Sequence, residues 1–302
     1  MNGKRILVSG LTNIEHSVNV HSFPIDYSPI QYAFDESSIA VAGTAYNIAC
    51  ALSRLGDEVD YTTVLGRDPI SDWVHNTLRQ QGLRSINAFP LLERTCSSTV
   101  LFDDAGRRKI YCDLRDIQDL VLPIGSFREN LEACDGVIVT NINFNDALIR
   151  GARQFGKPVF TDVHVLHDIH DPYNRRFMEN ADVLFLSDEG LPTEPEEFLL
   201  AIWREYHSQV IVLGRGDKGA LLFDGQTREF HYQEAVYTRP IVNTVGAGDA
   251  LFSAFVHFYL KGDSSFESLK KATYFASYKI GESGGSVGFP SEKDLLDLLP
   301  TH

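Results

Sequence analysis

Long apolar runs are absent from this chain. No stretch approaches the ~18 residues that a membrane-crossing helix needs, and the amino-terminal MNGKRILVSG lacks the apolar core of a secretory leader. Cations are scarce: 27 Lys and Arg stand against 41 Asp and Glu, for a formal net charge of −14. Nucleic acid needs a basic face, so that partner is disfavoured. A small phosphate ligand is not, because backbone dipoles and Mg2+ hold phosphate inside acidic proteins. Cysteine is scarce too. Cys50, Cys96, Cys112 and Cys134 are widely spaced, with no C-x-x-C pair. That argues against a zinc or redox centre and suits reduced thiols in a cytoplasmic protein. Also missing are a Walker-type G-x-x-x-x-G-K-[ST] and a nucleophile elbow G-x-S-x-G. Internal repeats, low-complexity tracts and long linkers are not found.

What is present is an alternation of apolar strands and helices along 302 residues, enough for one large α/β domain. Strands are expected at 5–10, 58–66, 86–92, 136–142, 158–164, 182–187 and 209–214. Helices are expected between them, at 43–56, 68–82, 127–134, 146–156, 172–180 and 194–207. In the first helix Ala45, Ile48, Ala49, Leu52 and Leu55 recur at helical spacing and Gly56 supplies the stop. The order β-α-β-α-β predicts a doubly wound, mostly parallel sheet. ALLFDGQTREFHY reads as a hairpin, and helices at 265–281 and 291–299 close the chain.

Two excursions interrupt this order. The first, about 17–42, carries short alternating pieces, SVNV, IQYAF and SSIAVA, broken by Pro24 and Pro29. The second, about 97–113, reads as strand, DAGR turn, strand. Read as small antiparallel strands, they join into one sheet, a β lid over a site or a dimerisation element. Asn13, Glu15 and His16 stand just past the end of the first strand, where open α/β sheets gather ligands; they read equally as a polar turn.

The chemistry concentrates in NTVGAGDALFSAFVHFYLKG, from Asn243 to Gly262. Gly246 and Gly248 precede an apolar helix, and Asp249 sits in its first turn. The first N–H groups of a helix lack intrahelical partners, and the helix dipole adds positive character there. Glycine admits close approach of a ligand, so the turn suits a phosphate. Asp249 would take a proton from an attacking hydroxyl, while the amides of about Ala247 to Asp249 stabilise charge on the transferring group. The bland alternative is a turn glycine and a dipole-favoured Asp. His164, His167 and His170 lie where a strand passes into a loop, which leaves a metal ligand set incomplete. Asp162, at the strand exit, is the stronger functional candidate.

NTVGAGDALFSAF resembles the carboxy-terminal signature of the ribokinase-like, or PfkB, family of carbohydrate kinases, usually D-T-x-G-A-G-D. AGTAYNIACALSRLG is similar to that family's amino-terminal signature, LGRDPISDWVHNTLRQQG continues it, and GRGDKGALLF resembles its nucleotide-side turn. The resemblance spans nearly the whole chain. It implies a ribokinase-like α/β fold and ATP- and Mg2+-dependent phosphorylation of a hydroxymethyl group on a sugar or nucleoside. Asp249 takes the catalytic-base position, with Gly246, Ala247 and Gly248 at the anion hole. Asn13, Glu15, Gly43 and Asn47 fall at substrate-hydroxyl positions. Ser187, Gly214, Gly216 and Gly219 fall on the nucleotide side. Asn243 and Thr244, with the Gly284 to Gly288 loop, fall near the adenine pocket and a monovalent-cation site.

The sequence departs from the family pattern in places. Asn243 replaces the usual Asp, which weakens the case for bound K+; Glu15 replaces an Asp; Ala42 replaces the first Gly of a Gly-Gly pair; Thr44 stands where some sugar kinases have Lys. SDEG at Ser187 to Gly190 replaces N-x-x-E, with Asp188 or Glu189 as the nearest carboxylate for a Mg2+-linked role. A sugar kinase is the leading expectation. The alternatives are a nucleoside kinase, with Phe23, Tyr27, Tyr32 and Phe34 stacking on a base, and a non-catalytic sugar-binding protein on this scaffold. A phosphorylated sugar is disfavoured by the shortage of cations, Arg107, Arg108 and Lys109 being the exception.

Overall fold

The computed structural model describes residues 3–300. In chain order its strands are β1 Arg5–Ser9, β2 Asn13–Asn19, β3 Ser37–Ala42, β4 Glu58–Gly66, β5 Ser85–Leu92, β6 Ser97–Phe102, β7 Arg108–Asp113, β8 Gly136–Val139, β9 Val159–Val165, β10 Val183–Ser187, β11 Val210–Gly214, β12 Ala220–Asp224 and β13 Glu229–Gln233. Its α-helices are α1 Thr44–Leu55, α2 Pro69–Arg79, α3 Arg128–Ala133, α4 Asp146–Ala152, α5 Arg175–Met178, α6 Pro195–Tyr206, α7 Ala247–Leu260, α8 Ser265–Lys279 and α9 Glu292–Leu298.

The main sheet runs β13-β12-β11-β10-β9-β8-β1-β4-β5. Pairings from β11 through to β5 are parallel, and only β12 runs against them, antiparallel to both β11 and β13. Strands β1, β8 and β10 are near-continuous apolar runs because helices cover both faces. Successive side chains point to opposite faces. Ile6 and Val8 join a core with α1, α7 and α8, whereas Leu7 joins one with α3, α4 and α6. The strand order reverses beside β1, the position at which such sheets open a crevice.

Helix α7 is apolar nearly all round, with Phe252 to Phe258 buried, as a helix enclosed by protein must be. It packs between α1 and α8. Phe252 and Phe255 meet Phe185 of β10 edge-on at 4.9 and 5.2 Å between ring centroids. These contacts seat the helix on the sheet and fix where its first turn points. Truncating one such buried Phe costs about 3–5 kcal/mol.

A second, four-stranded sheet has the order β3-β2-β6-β7. The two excursions do join, but the pairing between them is parallel, with Ile14 opposite Ser97. The sheet also begins earlier than expected. Asn13 and Glu15 are not in a turn; they pair with Ala42 and Ala40 on one side, and Glu15 with Ser98 on the other. IQYAF, at 30–34, is not a strand. β3 already occupies the edge of β2, and this piece packs on nothing that would bury its apolar side chains: Tyr32 and Phe34 are 76% and 81% exposed. The expected strand at 136–142 ends at Val139, where Ile142 donates back to the Thr140 carbonyl and the chain turns. The helix expected at 172–180 contracts to Arg175–Met178. No helix among the described residues is long and apolar enough to cross a membrane.

Candidate active site

The turn into α7 is built from backbone. Gly246 is the N-cap, in the left-handed region at φ 75°. A Cβ there would lie 2.6 Å from the Gly285 carbonyl oxygen, so the position requires glycine on both counts. Asn243 Oδ1 accepts from the Val245 N–H at 2.7 Å, and the Ala247 N–H donates to the Thr244 carbonyl at 3.2 Å. The first bond of the helix runs from Ala250 to the Gly246 carbonyl. Ala247 has therefore spent its amide within the turn, and those of Gly248 and Asp249 lack an intrahelical acceptor.

Asp249 is partly buried in the first turn. Asn47 of α1 donates from Nδ2 to Asp249 Oδ2 at 2.7 Å. Gly43, the N-cap of α1 at φ 118°, accepts the Asn47 N–H at 2.9 Å. A Cβ on Gly43 would meet the Leu11 carbonyl oxygen at 2.3 Å, which fixes the entry of α1 against the strand connection. Burial pushes the Asp249 carboxyl up to about 6, against the Asn47 hydrogen bond and the charges of His164 and Lys279; the Asp162 charge raises it further.

Two cavities flank this turn. One, of about 650 Å³, lies between the small sheet and the 283–287 loop, with Glu15, Ser17, Asn19, Asp104, Arg108 and Thr244 among its lining. Glu15, Ser17 and Asn19 alternate on β2 and so share one face, and Ser17 Oγ donates to Glu15 Oε1 at 3.1 Å. The other, of about 160 Å³, is lined by Gly214, Gly216, Gly219, Ala235, Tyr237, Ala247, Gly248 and Ala276, among others. The α7 turn is the wall between them.

The structure thus brings Asp249, Asn47, Gly246 and Gly248 together, and groups Gly214, Gly216, Gly219, Ala247 and Gly248 on the small apolar cavity. Asn243 and Thr244, expected near the adenine pocket and the monovalent-cation site, line the larger cavity, as do Gly284 and Gly285. Ser187 pairs with Gly214 at the end of β10 but lines neither cavity. Asn13 is buried on β2, donates to Ser98 Oγ at 3.0 Å and lines neither cavity. Phe23, Tyr27, Tyr32 and Phe34 are not among the residues lining either cavity.

The three histidines diverge. His164, at φ 60°, donates its backbone N–H to Asp162 Oδ1 at 2.7 Å. His167 meets the Gly190 carbonyl at 2.8 Å, and His170 faces Glu205. Among the described residues no group of three or more His, Cys, Asp and Glu is arranged to hold a metal ion.

Lys279 is the residue that sequence reasoning passed over. It reads as a last-turn cation of α8 serving the helix dipole. It is in fact fully buried, with Nζ donating to the Val245 carbonyl behind the turn. Only its place among small and apolar neighbours in FASYKIG hinted at this.

Asp249 itself lines neither cavity, but the turn that carries it separates them, and a carboxylate at a glycine-rich helix start suits phosphoryl transfer to an alcohol acceptor. The pfkB family carbohydrate kinase profile matches residues 4–292, and the chain belongs to that family. It is similar to the deoxyribokinase of Salmonella typhi, at 24% identity over 86% of this chain and 88% of the relative. It is equally similar, at 24% identity over 90% and 91%, to the acarbose 7(IV)-phosphotransferase of an Actinoplanes species. Among solved structures, a microbiome-derived acarbose kinase matches with a TM-score of 0.89 at 22% identity over 99% of both chains. Ribokinase of Arabidopsis thaliana, complexed with ribose and ATP, matches with 0.80 at 19% identity over the full length of both. The fold is ribokinase-like.

Proposed function

We propose that this carbohydrate kinase transfers the γ-phosphoryl group of ATP to a hydroxymethyl group of a neutral or amine-bearing sugar, with Asp249 as general base. The observation that carries the acceptor class is a pair of unsatisfied oxygens. Asn13 Oδ1 and Asn47 Oδ1 are buried without hydrogen-bond partners, while the Nδ2 of each is already committed. A buried acceptor left empty costs about 1–3 kcal/mol. A polyhydroxylated ligand supplies the missing donors.

Charge narrows the acceptor further. Arg108 is the one cation among the residues lining the larger cavity, against Glu15, Asp103 and Asp104. That balance disfavours a sugar already phosphorylated and tolerates a protonated amine. The volume of about 650 Å³ falls in the range, roughly 300–1,000 Å³, of sites that hold ligands larger than one sugar ring. The aromatics Phe23, Tyr27, Tyr32 and Phe34 stand away from the cavity, which leaves Phe102 as the aromatic side chain on its lining and gives less support to a nucleobase than to a sugar.

In this reading the sugar lies under the small sheet, which acts as a lid, and adenine occupies the apolar cavity of about 160 Å³. Asp249 accepts the proton of the attacking hydroxyl. The amides of Gly248 and Asp249, at the positive end of α7, hold the charge of the transferring group. Asn47 keeps Asp249 aimed and ionised. Mg2+ supplies charge neutralisation on the phosphates, and one or two carboxylates suffice to hold it alongside them. Asp162, whose charge is felt by Asp249, fits that role.

Purified protein with MgATP and a panel of monosaccharides, amino sugars and short oligosaccharides tests the proposal. Phosphorylation of a hydroxymethyl-bearing member, lost in Asp249→Asn, is the expected result. Sugar binding without ATP turnover on every member would overturn it in favour of a non-catalytic sugar-binding role.

A further inference from the structure

A fully buried lysine needs a reason. Lysine is almost never fully buried unless paired, and desolvating an ammonium is costly. Lys279 is 0% exposed, forms no salt bridge among the described residues, and directs its Nζ to a neutral acceptor, the Val245 carbonyl. The helix dipole does not explain this, since a cation serves a helix end from the surface. What the ammonium touches does explain it. Val245 is the residue before Gly246, at the start of the α7 anion site.

Both polar groups of Val245 are pinned. Its N–H goes to Asn243 Oδ1, and its C=O takes the Lys279 ammonium. The amides of Val242 and Asn243 donate to the Ile280 carbonyl, next to Lys279. The turn is thereby clamped to the end of α8. Asn243 is neutral, so it fixes the turn without neutralising the cation behind it.

We propose that Lys279 is a tethered cation, a positioning residue that holds the Asn243 to Gly246 turn in its anion-binding shape and removes the need for an added monovalent cation. The charged groups acting on Lys279 are Asp249 from α7 and Arg239 from the segment before the turn. Burial pushes the ammonium down to about 8, helped by Arg239 and opposed by Asp249, so the cation persists at neutral pH. In return its charge favours ionised Asp249. This role rests on the kinase reading above.

Calorimetric binding of MgATP tests it, in tetramethylammonium buffer with and without added K+. The wild type is expected to bind equally in both. Lys279→Met keeps the stem and drops the charge; its affinity should fall about tenfold or more, the scale of a lost charged hydrogen bond. The acid limb of its pH–rate profile should move upward as Asp249 loses its cation. Lys279→Ala should regain affinity on addition of K+ or methylammonium, which a merely structural lysine would not do. Wild-type binding that requires K+ overturns the proposal, as does Lys279→Met with wild-type affinity and an unmoved acid limb. The wild-type comparison needs no variant, so a folding defect in either substitution leaves a decisive measurement. A wild type that binds no MgATP in any salt overturns the kinase reading itself, and this role with it.

Discussion

Asn47 and Asp249 stand 202 residues apart in sequence and 2.7 Å apart in space, amide nitrogen to carboxylate oxygen. The contact joins the first turns of two helices, α1 and α7, that pack together beneath the site. It works electrically as well as geometrically. A hydrogen bond donated to a carboxylate favours its charged form, and here it opposes the burial that raises Asp249.

The pH dependence follows. With its carboxyl near 6, Asp249 is a competent base above that value, so kcat should rise through about pH 6 and then level. Asn47→Ala removes a donor, so the limb should move to higher pH. Activity at neutral pH should fall by roughly tenfold and partly recover in alkaline buffer. A pH–rate series on both proteins checks this; an unmoved limb would contradict the electrostatic role.

Asp249→Asn separates catalysis from stability. Loss of the base should lower kcat by several orders of magnitude. Stability should move the other way. The folded carboxyl binds its proton more tightly than the unfolded one, about 6 against an ordinary 3.8. Its contribution to stability is complete below about pH 4 and is lost as the pH rises through about 6. At neutral pH the ionised group therefore opposes folding, by roughly 1–3 kcal/mol. Denaturant titration at neutral and acidic pH should show the variant at least as stable as wild type at pH 7, with that advantage shrinking at pH 4.

Gly285→Ala should act through Asn47. A Cβ on Gly285 would lie 2.8 Å from Asn47 Nδ2, which forces that amide off Asp249. The expected result is a fall in kcat with a small change in melting temperature. A variant with wild-type kcat would show that Asn47 has room to yield.

Ala276→Phe should fill the small cavity, which Ala276 lines. The KM for ATP should rise at least about tenfold, while sugar affinity measured without nucleotide stays unchanged. An equal loss of both would place the sugar, rather than adenine, in that cavity.

Much of this was legible in the sequence because it depends on local pattern. Strand and helix alternation, the glycines at 43, 246 and 248, and the carboxylate at 249 are each set by neighbours a few residues away. What was not legible depends on partners distant in the chain. The polar start of β2 looks like a turn until its pairing with both β3 and β6 is known. IQYAF alternates like a strand, but β3 takes the place beside β2 and nothing covers its aromatic residues. For Lys279 the small and apolar neighbours give only a hint of burial, because the carbonyl that holds it lies 34 residues earlier. The placement of Asn243 and Thr244 on the larger cavity likewise follows from how the turn packs on α8, which no spacing encodes.

The parallel union of β2 with β6 has a consequence for the order of events during folding. A parallel pair cannot be joined by a short turn, and Ile14 reaches Ser97 only after the intervening chain has been laid down as α1, β4, α2 and β5. Closure of so long a loop is entropically costly until those elements are in place. The main sheet carries the same cost, since Ile6 of β1 lies opposite Gly136 of β8 and closes a longer loop still; the small sheet thus depends on the β1, β4 and β5 part of the main sheet, and both sheets close only through contacts distant in the chain.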